Sequence, residues 1–255
     1  MRKLIVSTAA AAAFAGSAFA ADLPSVKEAP VIVAPPPAFT WTGFYVGADI
    51  GGGWGNKTIQ VPATSLNPQT TINPELSGIV GGGFIGYNLQ FSQFVIGVQG
   101  DFQGAGLQAS AYNAVTDSTT TPNQNWLAAV NGRLGFIYDR ALIYGIGGAA
   151  WTEEDHTVSA GPGVTALLNS FGIPANPQKF NWNRSGYDVG GGVEYAVAPN
   201  WTVRAEYRYY NFGNWNYNSA SWVGHGHENL TDNTVTFGLS YLFGGSAGIP
   251  VLAKY

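Results

Sequence analysis

Three charged side chains recur at every second position in Arg204-Ala205-Glu206-Tyr207-Arg208. A carboxyl between two guanidiniums invites two readings. With a second carboxyl such as Asp101 it could work as a general acid/base pair, or it is simply held in ion pairs. The supply of Arg133, Arg204 and Arg208 favours structural pairing, and no Ser, His and Asp set can be assembled, because His156, His225 and His227 all fall in segments that read as loops. No enzyme activity is expected. A second candidate is His225-Gly226-His227-Glu228 beside Trp222. Imidazole is the commonest protein metal ligand and can serve as an axial ligand to haem iron, so the cluster could take a metal ion or hemin. The plainer reading is a solvated polar loop, and no resident metal or cofactor is expected. Gly81-Gly82-Gly83-Phe84-Ile85-Gly86 has the glycine spacing of a dinucleotide loop, but that mechanism needs a helix N-terminus directly after it. Tyr87 to Phe91 alternates as a strand instead, so the glycines are assigned to close strand packing.

The charged trio implies the element that carries it. Trp201, Val203, Ala205, Tyr207 and Tyr209 fall on one face of an extended strand, and Thr202, Arg204, Glu206, Arg208 and Tyr210 fall on the other. At about 3.3 Å rise per residue the charges stand roughly 6.6 Å apart along one side. Similar period-two pieces of about ten residues, the length that a tilted transmembrane strand needs, recur along the chain. They run near Phe44 to Trp54, Gly78 to Phe91, Phe94 to Gln103, Trp126 to Tyr138, Ala141 to Trp151, Arg184 to Val197, Trp201 to Tyr210 and Thr234 to Phe243. Their connections alternate strictly. Ser92-Gln93, Asp139-Arg140 and Ala198-Pro199-Asn200 are tight turns, whereas the segments near 55–77, 104–125, 152–183 and 211–233 are long and polar. Short turns on one side and long loops on the other are the pattern of an outer-membrane barrel, with both termini in the periplasm.

Composition agrees. Only 10% of the residues are charged, against roughly 25% in ordinary soluble proteins, so something other than water must cover much of the surface. No segment after the leader supplies the run of about 18 or more apolar residues that a transmembrane helix requires. Residues 1–20, with Arg2 and Lys3, an apolar centre and Ala18-Phe19-Ala20, read as a secretory signal peptide. Residues 21–40, with Pro24, Pro30 and Pro35-Pro36-Pro37, read as a semi-rigid periplasmic spacer. Residues 41–243 form the barrel and 244–255 a C-terminal tail. Zero cysteines exclude disulfides and thiolate metal sites, and a dispersed net charge of -4 gives no reason to expect nucleic acid.

The predicted fold is therefore all-β: an eight-stranded antiparallel up-and-down transmembrane β-barrel. Arg or Lys facing lipid at midplane costs about 2 to 4 kcal/mol, so the charged face must look inward. The same register turns Asp49, Gln99, Asp101, Asn131, Arg133, Asp188 and Glu194 inward, and Val46, Ile50, Ile96, Val98, Val130, Leu134, Val189 and Val193 outward. Eight strands enclose a space just wide enough for side chains to fill, so Asp49, Asp101, Arg133, Asp188, Glu194, Arg204, Glu206 and Arg208 are expected to plug it as a polar network. A soluble ligand carrier of lipocalin type would show the reverse sidedness. Outward aromatics sort into two girdles: Phe44, Phe91, Phe94, Tyr138, Trp201 and Phe243 at the periplasmic ends, Trp54, Trp126 and Tyr209 at the other.

Trp41-Thr42-Gly43-Phe44-Tyr45-Val46-Gly47, Gly97-Val98-Gln99-Gly100-Asp101-Phe102, Gly132-Arg133-Leu134-Gly135 and Glu206-Tyr207-Arg208-Tyr209-Tyr210, together with Gly86-Tyr87-Asn88, Tyr144-Gly145 and Gly190-Gly191-Gly192-Val193-Glu194-Tyr195, resemble the OmpA-like small outer-membrane barrels of alphaproteobacteria over nearly all of residues 41–243. That family includes surface antigens, porin-like proteins and hemin-binding proteins. The resemblance implies a structural, surface-exposed protein with at most a narrow porin-like channel, contributing to envelope integrity, or alternatively a hemin or small-ligand receptor acting through its loops. Family chains ordinarily end at the aromatic matched here by Phe243, so either the insertion signal for the barrel assembly machinery is internal or Tyr255 supplies it. Expected partners are outer-membrane lipid and lipopolysaccharide, with peptidoglycan or envelope proteins for the Pro-rich spacer. Glu153-Glu154-Asp155 could attract divalent cations or lipopolysaccharide-bound calcium, although a solvated acidic loop start is the plainer reading. Val164 to Leu168 is apolar enough to fold back on the barrel mouth.

Overall fold

The computed structural model describes residues 39–61, 69–115, 117–218 and 225–244. Residues 1–38, expected to hold a signal peptide and most of a spacer, and residues 245–255, expected as a tail, lie outside the described residues.

Eight long strands close into a barrel. They are β1 (Gly43–Val61), β3 (Glu75–Phe91), β4 (Phe94–Gln108), β6 (Ser118–Tyr138), β7 (Ala141–Ala160), β8 (Gln178–Ala196), β9 (Trp201–Asn218) and β10 (His225–Phe243). Each pairs antiparallel with the next, and β10 returns to β1 in register from Phe44↔Phe243 to Gln60↔His227. Two short strands, β2 (Thr70–Ile72) on β1 and β5 (Ala111–Asn113) on β6, extend the wall, and α1 (Pro162–Ser170) follows β7. Closure leaves none of the eight long strands as an open sheet edge, which is the condition for β structure in lipid.

The tight turns set the register. Ser92 and Asp139 take a left-handed φ of 55° at the first turn position, a conformation that short polar side chains tolerate. At the third, Asn200 donates its side-chain amide to the Leu242 carbonyl at 2.7 Å and ties the β8–β9 turn to β10.

Alternation is strict where lipid lies outside. Outward apolar residues line 44–54, 79–91, 94–104, 126–138, 141–151, 187–197, 201–209 and 235–243, with Phe44, Ile50, Val98, Val130, Leu134 and Phe237 all exposed. We take these as the membrane-spanning segments. One face of each is solvated by acyl chains and the other is sealed inside the wall.

The strands are longer than the alternation of apolar residues predicts. β1 continues to Val61, β3 begins at Glu75, β7 reaches Ala160 and β10 begins at His225, so much of what reads as loop is wall that rises above the membrane. The physical reason is that the inward face still has side chains to bury there, among them Leu76, Leu107 and Leu230, while the outward face meets water and turns polar. Apolar alternation stops, but the hydrogen-bond ladder continues. His156 and His227 consequently sit in strands and not in loops. Val164 to Leu168 forms most of α1, whose Leu167 is exposed. The Val164 N–H donates to Asp117 Oδ2 at 2.9 Å, anchoring the first turn of the helix. The Tyr112 hydroxyl and this N–H hold the Asp117 carboxyl below its ordinary range.

Candidate functional site

The lumen is stratified, and its layers can be followed along each strand. At the periplasmic end Trp41, Val95, Leu142, Tyr144, Ile146 and Ala196 pack into an apolar floor. Trp41 enters from the N-terminal side, and its backbone N–H donates to Gln90 Oε1 at 2.8 Å.

Above the floor lies an ionic layer. Arg204 reaches from β9 to Asp49 of β1 at 3.1 Å and to Gln99 of β4 at 2.9 Å. Arg208 pairs with Glu206 at 2.7 Å, with Asp101 at 2.8 Å and with Asp188 at 3.4 Å. Arg133 binds Glu194 and lies over the Tyr144 ring, 3.7 Å from its centroid. Five carboxyl groups thus share three guanidiniums, and neutral donors complete the set: Tyr144 Oη donates to Glu206 at 2.6 Å, Thr202 Oγ1 to Glu194 and Gln103 Nε2 to Asp49 at 2.9 Å. Gly190 makes room for it, because a Cβ there would come within 2.9 Å of Arg208 Cγ and 2.2 Å of a backbone carbonyl. Asp101 and Glu206 are both bound to Arg208 and are not free as an acid/base pair.

Next comes a layer that the charge pattern does not announce. Leu76, Val80, Leu107, Leu127, Tyr210, Phe212 and Leu230, with Ala105, Ala129 and Ala150, form a buried apolar cluster across the lumen. The inward face is therefore not polar throughout. On β6 the order is Arg133, Asn131, Ala129, Leu127, and on β9 it is Arg208, Tyr210, Phe212. Apolar side chains interrupt the path in both walls.

A second ionic layer lies beyond it, above the membrane-spanning segments. Lys57 of β1, fully buried, donates to Glu154 Oε1 at 2.8 Å and to His156 Nε2 at 2.6 Å, and also contacts Glu228. Arg184 of β8 pairs with Glu154 at 2.5 Å and with Glu228. Burial alone would raise the Glu154 carboxyl, but Lys57, the hydrogen bond with His156 and Arg184 hold it far below the usual carboxylate range. Asp232, at the same end, behaves oppositely. Burial pushes it up to about 7 against a hydrogen bond from Gln124 at 3.0 Å. Glu154, His156 and Glu228 present ligand atoms within 4.8 Å of one another, a donor set that suits a divalent metal. The Lys57 ammonium already contacts all three groups, so the cation that holds them together is a side chain.

This placement corrects the His225, His227 and Glu228 cluster. His227 and Glu228 are neighbours in β10 and must point to opposite faces. His227 is outward and donates from Nδ1 to Asn216 Oδ1, whereas Glu228 is inward on Lys57 and Arg184. His225 lies at the start of β10, with its side chain outside the described residues. Lys57 and His156 escape a reading confined to membrane-length strands, which takes Glu154 only as part of an acidic loop start and Arg184 only as the first residue of a strand. The signal was present nonetheless: Lys57 keeps the parity of Asp49, and Arg184 keeps that of Asp188.

Residues 6–243 match the outer membrane protein beta-barrel domain family. The chain belongs to this family. The 31 kDa outer-membrane immunogenic protein of Brucella melitensis biotype 1 is 30% identical over 83% of the chain and 88% of its own length. The 22 kDa outer membrane protein of Rhizobium leguminosarum bv. viciae is 30% identical over 85% of the chain and 83% of its length. Among solved structures, the outer membrane protein OprG of Pseudomonas aeruginosa covers 81% of the chain and 99% of its own, at 10% identity and a TM-score of 0.45. This member of the outer membrane protein β-barrel family is a protein of the bacterial outer membrane, with an apolar wall that faces lipid.

Proposed function

We propose that the barrel is a sealed structural element of the outer membrane, which carries exposed loops and stiffens the envelope without conducting solutes. The observation that carries this reading is the apolar layer of Leu76, Leu107, Leu127, Phe212 and Leu230, each no more than 4% exposed, lying across the lumen between two ionic layers. A hydrated path needs continuous polar lining, and a close-packed apolar interior excludes water from one. The apolar floor around Trp41 and Leu142 adds a second barrier. Conductance of the refolded protein in planar bilayers tests it. No openings, or small and infrequent ones, are expected. Large stable steps of porin size would overturn the reading.

A further inference from the structure

The outward face of β6, β7 and β8 changes character directly above the Trp126 girdle. Asn123, Asp155 and Asn181 stand side by side in one cross-strand row, with Gln108 of β4 completing it, and Thr121, Thr157 and Lys179 form the row beyond. The rows line a cleft of about 410 Å³. Its polar groups are held in place: Asn181 Nδ2 donates to Asp155 Oδ1 at 2.8 Å and Asn125 Nδ2 to Asp155 Oδ2 at 2.7 Å. Below, Trp126 Nε1 donates to Glu153 at 2.9 Å and fixes the girdle to the first polar row. Among the described residues Lys179 has no carboxylate partner.

We infer that this shelf seats the core saccharide of an outer-leaflet glycolipid, lipopolysaccharide in a Gram-negative outer membrane. Side-chain amides both donate and accept, and a carboxylate accepts twice, which matches vicinal sugar hydroxyls. Lys179 supplies a point charge for a phosphate or acidic sugar. Position chooses the occupant: the shelf continues the lipid-facing wall upward past its aromatic girdle, so the molecule standing there is the headgroup of the lipid whose chains coat the wall. The inference rests on the outer-membrane location and is independent of whether the lumen conducts.

The test compares binding by the refolded full-length protein in detergent micelles. The probes are lipopolysaccharide with its core saccharide, the matching lipid A, whose glucosamine disaccharide carries no core sugars, and phosphatidylethanolamine, each with and without EDTA. The variants are Asn123→Ala/Asn181→Ala/Lys179→Ala and, as a control on the opposite wall, Asn214→Ala/Asn229→Ala, whose amides bond each other at 3.0 Å. Wild type is expected to bind lipopolysaccharide at least about tenfold tighter than lipid A, the sum of a few net hydrogen bonds, and the triple variant to lose that advantage while keeping its lipid A affinity. The control variant should keep both, and EDTA should leave the advantage in place. Equal wild-type affinity for lipopolysaccharide and lipid A would overturn the inference without any variant. So would an unchanged preference in the triple variant, an equal loss in the control, or a preference that EDTA abolishes, which would assign binding to cation-bridged phosphate instead.

Discussion

Two ionic layers occupy one lumen, yet they are built differently. The layer inside the membrane, around Arg204 and Arg208, draws on β1, β4, β6, β8 and β9, and only Glu206 there is reached by two arginines, Arg208 at 2.7 Å and Arg204 at 3.8 Å. The layer above the membrane centres on Lys57, with Arg184 touching the same two carboxylates, Glu154 and Glu228. The first distributes its charges, and the second is redundant in its cations. Removing one cation should therefore cost more in the first layer than in the second.

The largest effect is expected for Arg208→Met. Asp101, Glu206 and Asp188 would lose their shared guanidinium inside a dry wall, and breaking a buried pair from one side costs about 3 to 5 kcal/mol. Denaturant unfolding of the variant in micelles should show that loss, at a lower midpoint. Lys57→Met should cost less, roughly 1 to 3 kcal/mol, since Arg184 still serves both carboxylates. It also empties the space among Glu154, His156 and Glu228. Added Zn²⁺ should restore part of the stability of Lys57→Met and leave wild type and Arg208→Met unchanged. A Zn²⁺ response equal in all three would erase the distinction between the layers.

Between these lies the apolar partition. Leu127→Ala removes a fully buried side chain, and such truncations cost about 2 to 5 kcal/mol depending on how far the site collapses. Combined with Leu107→Ala it should also produce openings in planar bilayers that wild type lacks. Loss of stability with no change in conductance would mean that the Trp41 floor alone seals the barrel.

The difference between the layers is also the difference between what the sequence discloses and what it hides. Charges flanked by lipid-facing apolar residues are legible, because Arg204-Ala205-Glu206-Tyr207-Arg208 can satisfy a membrane in one orientation only, and that orientation fixes the register of its neighbours. The eight-strand count follows from the same alternation. Lys57 and Glu154 offer no such contrast. Their outward neighbours, Asn56, Asp155 and others, are polar too, so both faces look like loop. The apolar partition is hidden for the converse reason: Leu76, Leu107 and Leu230 face inward in segments where apolar residues read as isolated loop positions.

Acid and base should separate the outer layer into its two kinds of carboxyl. Asp232, raised to about 7 by burial, binds a proton in the folded state that the unfolded chain releases at ordinary carboxylate pH. Its contribution is full below the unfolded value and is lost as pH rises through about 7. Glu154, held low by Lys57, His156 and Arg184, contributes in the opposite sense, with stability present above its unfolded value and lost in stronger acid. Asp232→Asn should therefore raise the unfolding midpoint relative to wild type at pH 8 and leave it nearly unchanged at pH 4. A gain of the same size at both values would rule out a titrating Asp232.

The smallest expected effect comes from the residue next to one of the largest. Glu228 contacts Lys57 and Arg184 inside the wall, and one position earlier His227 faces outward with Asn216 as its described partner. Glu228→Ala leaves Lys57 and Arg184 with Glu154 as their one shared carboxylate, an excess of buried positive charge, and belongs with the costly variants. His227→Ala removes an exposed group, and surface changes of that kind stay within about 0.5 kcal/mol. Unfolding midpoints for the two variants, measured together, read the facing of β10 directly. If His227→Ala were as damaging as Glu228→Ala, the strand would have to be turned or broken at its outer end, and the layer above the membrane would lose the carboxylate that closes it.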